Sequence, residues 1–106
     1  MKHLLPALQS AHRKAAKHLL KKGFTRKEVS LTLAEHRDQA LTRFDKFMTV
    51  MLRLPPIKRR EFAGDQIKLL EKERVSISGK TEKGMDAIIR IGEIDARIAQ
   101  IRHMSK

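Results

Sequence analysis

The sequence predicts an all-α protein of three to four helices, packed as a small bundle or as helical hairpins. Three observations carry that prediction. Apolar residues recur at spacings of three and four through most of the chain. No alternating run is long enough for a sheet, Val75–Ser78 being the nearest approach. Strong breakers stand only at Pro6, Gly23, Pro55–Pro56 and Gly79. At 106 residues the chain makes a single helical domain with no internal repeat. The helices are expected over about 3–22, 26–53, 56–77 and 81–104.

In the first helix, Leu4, Leu8, Ala11, Ala15 and Leu19 form one apolar face, flanked by Leu5, Ala16 and Leu20. Lys2, Arg13, Lys14, Lys17, Lys21 and Lys22 take the remaining surface. Gly23 stands where a C-terminal glycine cap belongs, and the lysines before it suit the negative end of the helix dipole.

The next boundary is the sharpest. Thr25 and Glu28 have the spacing of a capping box, and Phe24 and Val29 occupy the two positions of a hydrophobic staple, so a helix starts at Arg26. It can run to Leu52 or Arg53, burying Val29, Leu33, Ala40, Phe44, Phe47, Met48 and Met51, until Pro55 stops it. His36, Arg37 and Asp38 interrupt the stripe, which leaves open either a break or an exposed turn of one long helix. Beside Glu35 and Asp38, His36 reads as an exposed position.

From Gly23 to Arg43 the chain is similar to the generic helix-turn-helix pattern of resolvases and bacterial regulators, with a capped start, Glu28-Val29-Ser30 and Leu33 preceding the turn. The resemblance covers about 20 residues and implies that Arg37, Gln39 and Arg43 meet base edges. Ala34 replaces the usual turn glycine, and Glu35 takes a position that is normally apolar and buried, so a single long helix is the alternative.

Pro56 opens the third helix, in which Phe62, Ala63, Ile67, Leu70, Arg74 and Ile77 keep helical spacing. Thr81 can cap the fourth. There Ala87, Ile91, Ile94, Ile98 and Ile101 form a heptad seam of barely two repeats, with Gly84 and Gly92 allowing close approach. That seam suits either a homodimer through Ile91, Ile94, Ile98 and Ile101 or burial within one chain.

Lys and Arg number 24 against 12 Asp and Glu, and eight of the net +12 charges fall within residues 1–27, which contain no acid. Elsewhere the signs mix, and Asp86 with Arg90 and Glu93 with Arg97 have the spacing of intrahelical ion pairs. An acid-free basic helix has the composition of a phosphate-binding surface, where released counterions supply the affinity. Arg13, Lys14, Lys17, Lys21, Lys22, Arg26 and Lys27 are its candidate contacts. Lys58, Arg59 and Arg60 would extend it if the third helix packs beside the first.

The expected function is therefore a small regulatory or accessory protein that binds nucleic acid, DNA before RNA. The alternative is a non-enzymatic adaptor or inhibitor that meets an acidic protein partner through the isoleucine seam or through Phe44, Phe47, Met48 and Met51. An anionic membrane surface ranks third, and a membrane partner is not expected.

Catalysis, cofactors and bound metal are not expected. There is no Cys for disulfides or thiolate zinc sites and no Asn for glycosylation. No His pair has the spacing of a helical zinc site with its carboxylate, and Arg74 occupies the place where Gly79-Lys80-Thr81 would need the first glycine of a phosphate loop. The longest early apolar run, Leu4 to Leu8, is too short for a signal or membrane segment, so a cytoplasmic location is expected. The basic opening also has the composition of an organelle presequence, but its capped junction with the next helix assigns it to the fold.

Overall fold

The computed structural model describes residues 4–79 and 84–104, with side chains from residue 6 onward. Among these residues it holds four helices and no strand: α1 (Leu4–Lys21), α2 (Arg26–Arg53), α3 (Pro56–Ser78) and α4 (Met85–Met104). Val75–Ser78 is the last turn of α3, and the expected cap Thr81 lies outside the described residues.

The α1–α2 corner follows from four consecutive residues. Gly23 adopts φ +105°, which a side chain would resist. That conformation lets the Phe24 amide donate to the Leu19 carbonyl at 3.2 Å and the Gly23 amide to that of Leu20 at 3.1 Å, closing α1 in a Schellman motif. Thr25 Oγ1 then accepts from the Glu28 amide at 3.1 Å, while the Glu28 carboxylate accepts from the Thr25 amide at 3.0 Å. These hydrogen bonds hold the Glu28 carboxyl below its ordinary pKa. Phe24 packs with Leu19 on one side of the corner and with Val29 on the other. Thr25→Ala should cost about 1 kcal/mol, lowering the melting temperature by several degrees. An unchanged melting curve by circular dichroism would show that the box does not hold this corner.

α2 runs unbroken for 28 residues, about 42 Å, so the expected helix-turn-helix between Gly23 and Arg43 does not form. Nothing from Ala34 to Asp38 breaks a helix, and Ala34 favours one. In a continuous helix Glu35 stays exposed, which removes the penalty a turn would have imposed on it. Leu54 and Pro55 end α2, and Arg59 reaches back from α3 to donate through Nε to the carbonyls of Met51 and Leu54 at 2.8 and 2.9 Å.

α4 is the central helix and packs on the other three, whereas α1 and α3 make no substantial contact. Pairings along the helices run Asp86 to His36 and Arg97 to Arg43, but Glu93 to His12 and Arg90 to Glu73. α4 therefore lies parallel to α2 and antiparallel to α1 and α3, in a flattened assembly of 48 × 29 × 18 Å. Its isoleucine seam is spent on this packing. Ile94, Ile98 and Ile101 are buried with Leu8, Phe44, Phe47, Met51 and Leu70, while Ile89 closes a second cluster with Ala15, Leu19 and Val29. Ile94, Ile98 and Ile101 are thus committed to the core, while Ile91 is half-buried beside a groove between α1 and α4; Phe44, Phe47 and Met51 are core as well, with Met48 half-buried against them. Gly92 does meet Ala11 of α1, but a Cβ there would sit 3.8 Å from Ala11, so ordinary contact would suffice.

Candidate functional site

α1 turns Leu8, His12, Ala15 and Leu19 inward, and the opposite side of the helix is cationic. Arg13, Lys17 and Lys21 stand four residues apart, in a row with steps of about 6 Å, and Lys14 lies beside them. Lys22, Arg26 and Lys27 continue the exposed charge round the corner into α2. None of these seven side chains forms an ion pair among the described residues. Four cations of the later helices do have carboxylate partners. Arg74 pairs with Asp95 at 2.7 Å, Arg90 with Glu73 at 2.6 Å, Lys58 with Glu61 at 3.8 Å and Arg102 with Glu71 at 3.9 Å. The partner carboxylates act on the first two pairs: Asp95 raises the Arg74 pKa, and the Arg90 hydrogen bond holds the Glu73 carboxyl below its ordinary value.

The three expected base readers do not share a surface. Two residues of helix turn Arg37 and Gln39 about 200° apart. Arg37 lines a groove of about 520 Å³ with Arg13, His12 and Leu33, and so joins the α1 face. Arg43 lines a different groove, against α3, and Gln39 is exposed on that same side of α2. With no turn before them, Gln39 and Arg43 lose the geometry that would have brought them to bases.

Lys58, Arg59 and Arg60 do not extend the patch either. They begin α3 at the C-terminal end of α2, whereas Lys21 and Arg26 stand at its N-terminal end, roughly 40 Å away along the helix. Arg59 is committed to the last carbonyls of α2 and Lys58 is paired with Glu61, leaving Arg60 exposed alone.

Between α1, α2 and α4 lies a polar cluster that the sequence reading missed. Glu93 is 3% exposed, and its Oε2 lies 2.6 Å from His12 Nε2. His36, expected at the surface, is buried, with Nε2 2.7 Å from Asp86 Oδ1 and Nδ1 3.5 Å from Glu93 Oε1. Arg90 Nη1 stands 3.7 Å from the same Glu93 oxygen, yet neither that oxygen nor His36 Nδ1 has a hydrogen-bond partner. No group of three or more His, Asp or Glu among the described residues is placed to hold a metal. The cluster therefore acts as an internal clamp on three helices. One signal was legible: His12 falls at a spacing of four from Leu8 and three from Ala15, within the apolar face.

The pairings expected along α4 do not form. Asp86 is drawn to His36 and Glu93 to the two histidines, so Arg97 has no carboxylate partner. It is 8% exposed, its guanidinium carbon lies 5.5 Å from the Phe47 ring centroid, and Nη2 donates to the Arg43 carbonyl at 3.2 Å. Burial, then the charges of Arg90 and Arg43, lower its pKa to about 10.

A groove of about 680 Å³ between α1 and α4 has Ala7, Ala11, Gly92 and Ala96 among its walls, with Lys14 and His103 beside them. Its one carboxylate, Asp95, is held by Arg74. No helix among the described residues is long and apolar enough to cross a membrane. The chain matches no protein-family model, no curated protein and no solved structure.

Proposed function

We propose that this protein binds nucleic acid, duplex DNA before RNA, through the outer face of α1 and the opening of α2, in a regulatory or accessory role without catalysis. Arg13, Lys14, Lys17, Lys21, Lys22, Arg26 and Lys27 make the phosphate contacts, and Arg37 flanks them through the groove it shares with Arg13. One observation carries the proposal: residues 1–27 contain no acid, and the cations that α1 exposes on one side have no carboxylate partner among the described residues. Cations left unpaired on one side of a helix retain their full attraction for a polyanion, and each phosphate they neutralise releases condensed counterions. Backbone recognition of a duplex also agrees with the aromatics. Phe44 and Phe47 are buried and Phe24 and Phe62 half-buried, so the rings form no exposed row on which successive unstacked bases could lie.

The test is an anisotropy titration with duplex DNA and with an RNA stem-loop at two salt concentrations. Affinity should fall steeply with salt, and alanine at Lys14, Lys17, Lys21, Lys22 or Arg26 should each reduce the logarithmic slope by about one. Binding indifferent to salt would reject the proposal. Recovery from cells of a stoichiometric acidic protein that survives nuclease treatment would replace it with the adaptor reading.

A further inference from the structure

The groove between α2 and α3 is built differently from the α1 face. Its floor is the stacked pair Phe47 and Phe62, with ring centroids 5.5 Å apart and planes inclined by 17°. Val50 and Leu69 stand at its lips, 41% and 60% exposed. The open groove has a volume of about 510 Å³, within the range of small-molecule sites. Four cations border it, Arg43, Lys46, Arg90 and Arg97, against one acid, Glu73. Arg90 already holds that acid through two hydrogen bonds of 2.6 and 3.0 Å. Among the described residues neither Arg43 nor Lys46 is in an ion pair.

Arg97 sets the chemistry. It reaches in from α4, lies over Phe47, and is buried with Nε lacking any hydrogen-bond partner. A guanidinium buried without a counterion is less favourable than an apolar side chain of the same size, so packing alone does not account for it. What such a group suits is an oxyanion able to accept two parallel hydrogen bonds, such as a carboxylate or a sulfonate, arriving from outside.

We propose that the α2–α3 groove binds a small organic anion, its aromatic or aliphatic body lying on Phe62, Val50 and Leu69 and its acidic group against the Arg97 guanidinium, with Arg43 and Lys46 at the mouth. The site is independent of the α1 surface. Bound anion would neutralise a buried arginine that has no carboxylate partner among the described residues, and so tie α2, α3 and α4 together.

Anilinonaphthalene sulfonate, an aromatic anion, tests this on the full chain, with uncharged N-phenylnaphthylamine as its control. Fluorescence titration should show one saturable site for the anion. Arg97→Met should weaken it roughly tenfold or more, the loss expected for a charge-assisted contact, and Arg43→Gln and Lys46→Gln severalfold each. Binding of N-phenylnaphthylamine should not follow these substitutions. Arg97→Met should retain its helical circular dichroism and melt no lower than the parent, which separates lost binding from lost fold. In NMR spectra the anion should move the Arg97 Nε–H and the Phe47 and Phe62 ring signals. Absence of saturable binding, undiminished affinity in Arg97→Met, or shifts confined to Ala11, Gly92 and Ala96 would each overturn the proposal.

Discussion

A chain carrying Lys14→Glu, Lys17→Glu and Lys21→Glu is expected to lose duplex-DNA affinity by about two orders of magnitude or more at physiological salt. The size follows from counterion release: each phosphate contact contributes a logarithmic slope of about 0.9, so losing three contacts near 0.15 M salt costs roughly a hundredfold, and reversed charge adds repulsion. All three side chains are exposed and unpaired among the described residues, so the helical signal and the melting temperature should hardly change. The same reversal at Lys58 and Arg60 should have a far smaller effect, because those residues stand at the far end of α2. Equal losses from the two sets, or no loss from the first, would remove α1 as the interface.

The second large effect concerns stability. Glu93→Leu should destabilise the fold by about 3–5 kcal/mol, read as a shift in the urea unfolding midpoint. The substitution leaves His12 and His36 buried against an apolar side chain, and it deletes the one group that α1 and α2 both address on α4. Glu93→Gln keeps a polar atom at hydrogen-bond distance from His12 and should cost clearly less. A Glu93→Leu variant as stable as the parent would mean that the cluster is not the clamp described above.

The helices themselves were largely legible. Local chemistry decides where they start and stop: the glycine that allows φ +105°, the threonine and glutamate that trade hydrogen bonds, and the two prolines that forbid continuation. The cationic α1 face was legible for a related reason, since a helix with Leu8, Ala15 and Leu19 on one side must place its lysines on the other. The interruption at His36 was read as surface because a polar residue in an apolar stripe has no local partner. Asp86 and Glu93, which accept it, lie 50 and 57 positions away, and nothing in the local spacing shows that α4 runs parallel to α2.

The isoleucine seam illustrates the same divide. Its period fixed one apolar face for α4, but a period says nothing about whether another chain or the same chain covers that face. Packing of α4 among α1, α2 and α3 settled it in favour of the core, and in turning Glu93 toward two histidines it also left Arg97 without its intrahelical partner. Residue order alone determined the helical stretches, the caps of the α1–α2 corner and the uncompensated charge of the first helix, because those depend on neighbours within a few positions. Which cations are cancelled, where the basic runs lie relative to one another, and the groove around Arg97 were decided only by tertiary structure, because electrostatic pairing acts through space between helices that the chain keeps far apart.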